Sequence, residues 1–153
     1  NEKEGDAMED LYRFRHRLRV RYSEIDGQKI VFNAHYLTYL DIAIAAYFEE
    51  GLGLDLHGMA EEGKFDFVVA KTTLEYKDSA RLGDWLNIWV RLKKLGRTSF
   101  TMEFKITREG ENNPIVLAEI IYVSYNPETK TSQPVPTFLR EKMEAFESGV
   151  IAD

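Results

Sequence analysis

The sequence predicts an α+β fold in which a five-stranded antiparallel sheet wraps around one long central helix, followed by a short C-terminal helix. Three observations support this prediction. A first apolar run alternates strictly with arginines, a second is apolar around almost the whole circumference of a helix, and four further alternating runs are joined by short connections. A helix that is apolar on all sides has to be buried, and a sheet that curls around it buries it.

The first alternating run predicts a strand over residues 12–22, with one buried face and one arginine face. The two sets interleave one by one: Tyr12, Phe14, His16, Leu18, Val20 and Tyr22 against Arg13, Arg15, Arg17, Arg19 and Arg21. Charges on an edge strand deter edge-to-edge pairing, so we interpret the arginines as a solvated edge face.

The long helix is predicted over residues 34–50. Asn33 precedes it as a candidate N-cap, and Gly51 follows it as a candidate C′ residue. Apolar side chains fill almost every position between Tyr36 and Phe48, which is typical of a helix at the centre of a fold.

Four strands are predicted after this helix, over residues 67–76, 84–93, 99–108 and 115–125, and a short helix over residues 136–148. The connections are short and rich in turn residues, which predicts an antiparallel meander. The last strand is almost continuously apolar, which predicts a central strand or one covered on both faces. The order strand, long helix, four strands, short helix corresponds to the hotdog architecture.

Composition indicates one domain over residues 11–148, with a disordered lead-in at 1–10 and a short tail at 149–153. The net charge of −6 argues against nucleic-acid binding, and the absence of cysteine excludes disulfides, thiolate catalysis and cysteine-bound zinc. No apolar run is long enough to span a membrane, and the acidic N-terminus does not resemble a signal peptide. The expected location is therefore the cytoplasm.

Asp26 is the candidate catalytic residue, because it lies in the loop that joins the first strand to the buried helix. The histidines, His16, His35 and His57, lack the spacing of a metal site, so no metal is predicted. A carboxylate beside an apolar pocket and the positive end of a helix is desolvated yet favoured as an anion. The alternative role for Asp26 is to cap a turn or the helix start. The neighbouring acid, Glu24, is expected to face solvent.

The loop and the helix start resemble the 4-hydroxybenzoyl-CoA thioesterase family, including its bacterial acyl-CoA thioesterase branch associated with the Tol–Pal system. The family signature is an aspartate, a step that usually contains glycine, two aliphatic residues, an aromatic residue and an Asn/His/Tyr-rich helix entry. Here it reads Asp26-Gly-Gln-Lys-Ile-Val-Phe-Asn-Ala-His-Tyr36. The element order is similar over about residues 13–145. A weaker echo occurs at Gly96-Arg97-Thr98-Ser99-Phe100, where relatives carry a basic residue and a Ser-Phe pair.

The resemblance implies that Asp26 is the catalytic carboxylate. It would attack the thioester carbonyl as a nucleophile, through a mixed anhydride, or act as the general base for water. Tyr22, four residues earlier, and Asn33, seven residues later, would position the substrate or the water. Two positions depart from the family pattern: Lys29 stands where glycine is usual, and Asn33 stands where some relatives have a proton-carrying histidine.

The resemblance also implies an acyl-CoA substrate, no separate cofactor, and sites at the interface of a homodimer or homotetramer. Trp85 and Trp89, on the sheet face opposite Leu86 and Ile88, are interpreted as covered by another subunit. The residues expected to contact the coenzyme A moiety are Lys93, Lys94, Arg97 and Ser99. The arginines of the first strand are a less favoured alternative for the phosphates.

The predicted function is hydrolysis of an acyl-CoA thioester to the free acid and coenzyme A. Two alternatives stay open. One is a non-catalytic acyl-CoA-binding or sensory hotdog protein, which the departures at Lys29 and Asn33 would suit. The other is a dehydratase acting on 3-hydroxyacyl thioesters, which generally needs a catalytic histidine placed with a carboxylate.

Overall fold

The computed structural model describes residues 11–148, so the predicted lead-in at 1–10 and tail at 149–153 lie outside the described residues. The five long strands are β1 (Phe14–Arg19), β2 (Phe67–Tyr76), β3 (Trp85–Leu95), β4 (Ser99–Arg108) and β5 (Pro114–Asn126). A two-residue strand, β6 (Thr131–Ser132), pairs with the end of β5. The helices are α1 (Ala34–Ala46), α2 (Leu56–Glu61) and α3 (Thr137–Ser148), and a π-helical turn, Tyr47–Gly51, continues α1. This is the hotdog architecture predicted from the sequence.

The sheet order is β1-β3-β4-β5-β2, with antiparallel pairing throughout. The predicted meander is confirmed for β3, β4 and β5 but is wrong for β2, which pairs with β5 at the opposite edge from β1. The physical reason is the connection after β2. Residues 77–84 are too long for a tight hairpin turn, and they cross the end of the sheet to contact the loop that follows β1.

The strand β1 is shorter than predicted, because the chain turns back after Val20. A 3₁₀ turn, Tyr22–Glu24, follows, and the Tyr22 side chain, expected on the buried face, is 79% exposed. The turn is held by the Glu24 carboxylate, which accepts the backbone N–H of Arg21 at 2.8 Å. An alternating pattern does not predict such a hydrogen bond, so the strand predicted from it extends beyond the observed end of β1.

The helix α1 packs one face into the concave side of the sheet. Its buried side chains are Tyr36, Tyr39, Leu40, Ala43, Ile44 and Ala46, followed by Tyr47 and Phe48 of the π-helical turn. The opposite face carries Leu37, 42% exposed, and Ile42, 39% exposed. The prediction of a helix buried on all sides is therefore confirmed only on the side of its own sheet. In the single chain the other side, which we call the open face of α1, exposes Leu37 and Ile42 together with Thr38 and Asp41.

The end of the long helix differs from the prediction at Gly51. The N–H of Leu52 bonds to the carbonyl of Tyr47 at 2.9 Å, which closes a π-type turn, and the left-handed residue with φ near +70° is Gly53. Gly51 serves close packing instead. A Cβ there would stand 3.4 Å from the Phe14 ring and 3.5 Å from the Phe146 ring.

The convex face of the sheet is partly covered by arginines of β1. The guanidinium of Arg17 lies 3.8 Å from the ring centroid of Trp85, and Arg17 also pairs with Glu109 at 2.7 Å. Trp89 donates its indole N–H to Thr107 at 3.1 Å. Both tryptophans therefore have contacts within the chain. The interpretation of the arginines as a solvated edge face agrees with the position of β1 at the edge of the sheet. No helix among residues 11–148 is long and apolar enough to cross a membrane.

Candidate active site

The segment between β1 and α1, residues 21–32, forms a tightly bonded loop that we call the Asp26 loop. Inside it, the N–H of Asp26 donates to the carbonyl of Ile30 at 2.8 Å. Its end is tied twice: the N–H of Val31 donates to the carbonyl of Ala80 at 2.8 Å, and the N–H of Phe32 donates to the carbonyl of Glu24 at 3.0 Å. These bonds fix the backbone on both sides of the candidate catalytic residue.

Asp26 itself begins a tight turn. Its carbonyl accepts the N–H of Lys29 at 2.9 Å, and its side-chain Oδ1 accepts the N–H of Gln28 at 2.8 Å. Asp26 therefore does cap a turn, as the alternative interpretation expected, but only one oxygen of its carboxylate takes part. Within residues 11–148, the other oxygen, Oδ2, has no hydrogen-bond or ion-pair partner. The capping bond fixes the orientation of the carboxylate and leaves one oxygen for chemistry.

Lys29 keeps the backbone conformation that a glycine would have. Its φ is 64°, in the left-handed region, which a residue other than glycine rarely adopts. The departure from the family pattern therefore changes the side chain at this position and leaves the path of the turn intact.

A cleft of about 560 Å³ lies against this turn. Its lining residues are Tyr22, Ile25, Asp26, Gly27, Lys29 and Leu82. Asp26 is exposed in the single chain, as are Tyr22 and Leu82. The expectation of a desolvated carboxylate is consequently wrong for the isolated chain, because the apolar side chains around the cleft stand out into solvent instead of closing over it.

Asn33 lies at the start of α1 but does not cap it with its side chain. Its backbone is already helical, with φ −51° and ψ −36°, and its side chain makes no capping hydrogen bond. The first turn is closed by the backbone instead, through His35 to Phe32 at 2.9 Å and Tyr36 to Asn33 at 3.2 Å. Asn33 is not among the residues that line the cleft with Asp26.

Glu24 differs most from its predicted environment, because it is 5% exposed and not solvent-facing. Its carboxylate binds the Arg21 guanidinium at 2.8 Å and the Tyr39 hydroxyl at 2.9 Å. Burial alone would raise the pKa of Glu24, but the hydrogen bonds from Arg21 and Tyr39 outweigh it and lower that pKa. The sequence signal that could have found this pair is the three-residue spacing of Arg21 and Glu24 across a turn.

The second wall of the cleft comes from residues 77–84, which sequence reasoning treated only as a turn. The Tyr36 hydroxyl accepts the N–H of Ala80 at 2.9 Å. Arg108 on β4 donates to the carbonyl of Ser79 at 2.8 Å and to Asp84 at 3.0 Å. These contacts hold Leu82 beside the Asp26 loop, and nothing in the local sequence indicated a contact across such a separation in the chain.

The residues predicted to contact coenzyme A lie at the far end of the sheet. They are Lys93, Lys94, Arg97 and Ser99, on β3, on β4 and in the turn between them. The Asp26 loop adjoins the first residue of β3, and the eleven residues of that strand span roughly 30 Å. Lys93 is also paired with Glu119 at 2.9 Å. A single chain therefore does not bring the two predicted groups together.

Among residues 11–148, no three His, Asp or Glu side chains are grouped so as to hold a metal ion. His57 pairs with Glu61 at 3.0 Å, and the His35 ring packs edge-on against Phe32 at 6.1 Å between centroids. These two histidines have structural contacts outside any metal cluster.

Comparison with known proteins gives consistent matches. Residues 28–115 match the model of the thioesterase superfamily, a match that starts two residues after Asp26. The acyl-CoA thioester hydrolase YbgC of Escherichia coli O6:H1 is 31% identical over 114 residues, which cover 74% of this chain and 83% of that protein. The long-chain acyl-CoA thioesterase FadM of Escherichia coli K12 is 29% identical over 127 residues, which cover 83% of this chain and 94% of that protein.

Among solved structures, a thioesterase from Thermus thermophilus, complexed with coenzyme A and Zn, is similar over most of its length. It has a TM-score of 0.75 and 30% identity, and the match covers 90% of this chain and 96% of that one. The fold and the resemblance predicted from the loop are both confirmed by these comparisons.

Proposed function

The chain belongs to the thioesterase superfamily, and from this premise we propose that it hydrolyses acyl-CoA thioesters with Asp26 as the catalytic carboxylate. The observation that carries the proposal is the state of that side chain. One oxygen of Asp26 is fixed by the N–H of Gln28, and the other is unpartnered within the described residues, at the edge of an open cleft.

The free oxygen suits two routes. As a nucleophile, it bonds to the thioester carbonyl carbon, the carbon–sulfur bond breaks, and coenzyme A leaves as a thiol after taking a proton; water then hydrolyses the mixed anhydride. As a general base, the same oxygen takes a proton from a water that attacks the carbonyl directly. Both routes consume one water and release one free acid and one thiol. Tyr22, in the same cleft, and Asn33, at the nearby helix start, position the substrate or the water.

We infer that the coenzyme A contacts come from a second copy of the chain. Lys93, Lys94, Arg97 and Ser99 lie at the end of the sheet away from the Asp26 loop, roughly 30 Å along β3. The open face of α1, with Leu37 and Ile42, and the exposed edge strand β2 offer a surface for that second copy. We therefore place the site at the interface of a homodimer, or of a homotetramer built from such dimers.

Mixing two defective proteins tests this arrangement. Asp26→Asn and the double variant Lys94→Ala/Arg97→Ala are each assayed alone, then unfolded together and refolded as a mixture. If the two groups come from different subunits, half of the dimers are mixed and each has one intact site, so about a quarter of wild-type activity returns. If both groups come from the same subunit, no intact site forms and activity stays absent.

The activity is tested by thiol release over acyl-CoAs of graded length and aromaticity. Release of free coenzyme A with the matching acid supports hydrolysis. A protein that binds these compounds without turnover would be the acyl-CoA-binding or sensory alternative. An enoyl product without free thiol would indicate the dehydratase.

Two further parts of the proposal follow from the substrate. Coenzyme A is part of the acyl-CoA, so no separate cofactor is needed, and activity should survive treatment with a chelator. A cysteine-free chain that acts on coenzyme A thioesters is also expected in the cytoplasm, which cell fractionation tests.

A further inference from the structure

We propose that Glu24 is a positioning residue for catalysis, which holds the Asp26 loop in its reactive shape from inside the protein. This inference rests on the proposed role of Asp26. Glu24 is two residues before Asp26 in the chain, but it lies in the interior while Asp26 lies at the open cleft.

Four hydrogen bonds converge on the Glu24 carboxylate. Oε1 accepts the backbone N–H of Arg21 at 2.8 Å and the hydroxyl of Tyr39 at 2.9 Å. Oε2 accepts the Nε–H of Arg21 at 3.1 Å and the Nη2–H of Arg21 at 2.8 Å. A carboxylate has about four acceptor sites, so its capacity is filled. A buried carboxylate is tolerated only when it is paired in this way.

The same residue joins the two ends of the loop and the central helix. Its side chain holds Arg21 at the start of the loop, its backbone carbonyl accepts the N–H of Phe32 at the end, and Tyr39 belongs to α1. Asp26 lies between these fixed points. Because a displacement of about 1 Å at a reacting group can cost 100-fold in rate, loosening this anchor should reduce catalysis without any contact between Glu24 and the substrate.

The filled acceptor capacity distinguishes Glu24 from a second general base. A base needs a free oxygen within reach of the proton that it removes, and both oxygens of Glu24 already accept hydrogen bonds, from the exposed Arg21 and the buried Tyr39. Asp26, by contrast, keeps one oxygen without a partner in the described part of the chain.

The test compares Glu24→Gln with Glu109→Gln. Both replacements remove one carboxylate that is paired with an arginine, but Glu109 and its partner Arg17 are both exposed and are not part of the Asp26 loop. At an assay temperature well below the melting temperature of the variant, Glu24→Gln should lower kcat about 10- to 100-fold and change KM less than about threefold. Backbone amides of Asp26 and Phe32 should exchange hydrogen at least about tenfold faster. Glu109→Gln should leave all three quantities unchanged.

Two other results would overturn the proposal. Unchanged kcat and unchanged exchange in Glu24→Gln would reduce Glu24 to a structural residue and overturn the proposal. Loss of the acidic limb of the pH–rate profile, with unchanged loop exchange, would make Glu24 itself the base and overturn it equally. If Glu24→Gln does not fold, Tyr39→Phe removes one bond to the same carboxylate and should show a smaller loss in kcat of the same kind.

The inference can fail separately from the proposed function. If the wild-type protein releases no thiol from any acyl-CoA, the proposed function fails, and faster loop exchange in Glu24→Gln still supports the anchoring of the loop. If the wild-type protein is active and the exchange is unchanged, the anchoring fails alone.

Discussion

At the residue scale, two buried tyrosine hydroxyls differ in their hydrogen bonding. Tyr39 donates to the Glu24 carboxylate at 2.9 Å, whereas the Tyr122 hydroxyl is buried with no hydrogen-bond partner among residues 11–148. Removing a hydroxyl that binds a charged acceptor costs about 1.5 to 3 kcal/mol, whereas removing an unpaired buried hydroxyl costs nothing or stabilises the protein.

We therefore expect Tyr39→Phe to lower the free energy of unfolding by about 1.5 to 3 kcal/mol. Tyr122→Phe should leave it unchanged or raise it by up to about 1 kcal/mol. Urea denaturation of the two variants, side by side with the wild type, measures both. A loss above about 1 kcal/mol in Tyr122→Phe would mean that its hydroxyl has a partner.

At this scale the sequence predicted the loop position of Asp26 but not the environment of its neighbour Glu24. The position of Asp26 in a loop between a strand and a buried helix is a local feature, and a single sequence displays it. The burial of Glu24 depends on a hydroxyl that arrives from Tyr39, fifteen residues later. A local pattern does not specify such a contact.

At the element scale, a half-buried acid on the helix α3 joins separate parts of the fold. The Glu147 carboxylate accepts the hydroxyl of Tyr47 at 2.6 Å and the backbone N–H of Leu92 at 3.2 Å, beside the bulge of β3. Burial raises the pKa of Glu147 above the ordinary glutamate value. The folded chain therefore holds a proton on this carboxyl more tightly than the unfolded chain does.

This shift predicts a pH dependence of stability. The stabilisation from the raised pKa is fully present below the ordinary value of about 4.3 and is lost as the pH rises through the raised value. Glu147→Gln keeps an acceptor and cannot ionise, so its stability relative to the wild type should increase from pH 4 towards pH 8. Urea denaturation at several pH values measures the difference. Glu144→Gln, at an exposed position of the same helix, is the control and should show no such trend.

The sequence predicted the bounds of some strands better than the ends and pairing partners of others, and the difference has a physical reason. The bounds of β2 and β4 follow directly from their alternating patterns. The end of β1 does not, because it depends on a side-chain hydrogen bond inside the following turn, from the N–H of Arg21 to Glu24. The neighbour of β2 does not, because the pairing with β5 is distant in the chain. Periodicity indicates what a segment is, whereas individual hydrogen bonds decide where it stops and what it pairs with.

At the scale of the whole molecule, two exposed surfaces among residues 11–148 form the proposed subunit interface. The strand β2 is exposed along most of its length, with Val69 at 53%, and the open face of α1 exposes Leu37 and Ile42. Ile42→Glu places a charge on that face and should convert the oligomer to monomers in light scattering at micromolar concentration. Phe138→Glu, at an exposed apolar position on α3, should leave the oligomer intact. A wild-type monomer would contradict the shared site.

The sequence pattern predicted the architecture of the whole molecule, whereas a site shared between subunits was implied only by the family resemblance and stays a prediction. A central apolar helix and five strands leave little choice of fold, so the hotdog followed from pattern and order. The distance between Asp26 and the turn near Arg97 is a property of the folded sheet, and it appears only once the strands are placed.

The most direct test of the central claim compares Asp26→Asn with Asp55→Asn in the thiol-release assay. Asp55 is a matched control, because its side chain also accepts a backbone N–H, from Gly58 at 3.1 Å, at the start of α2. The account predicts that Asp26→Asn lowers kcat at least about 100-fold while the protein stays folded and still binds acyl-CoA, and that Asp55→Asn keeps wild-type activity. Wild-type turnover by Asp26→Asn would contradict it.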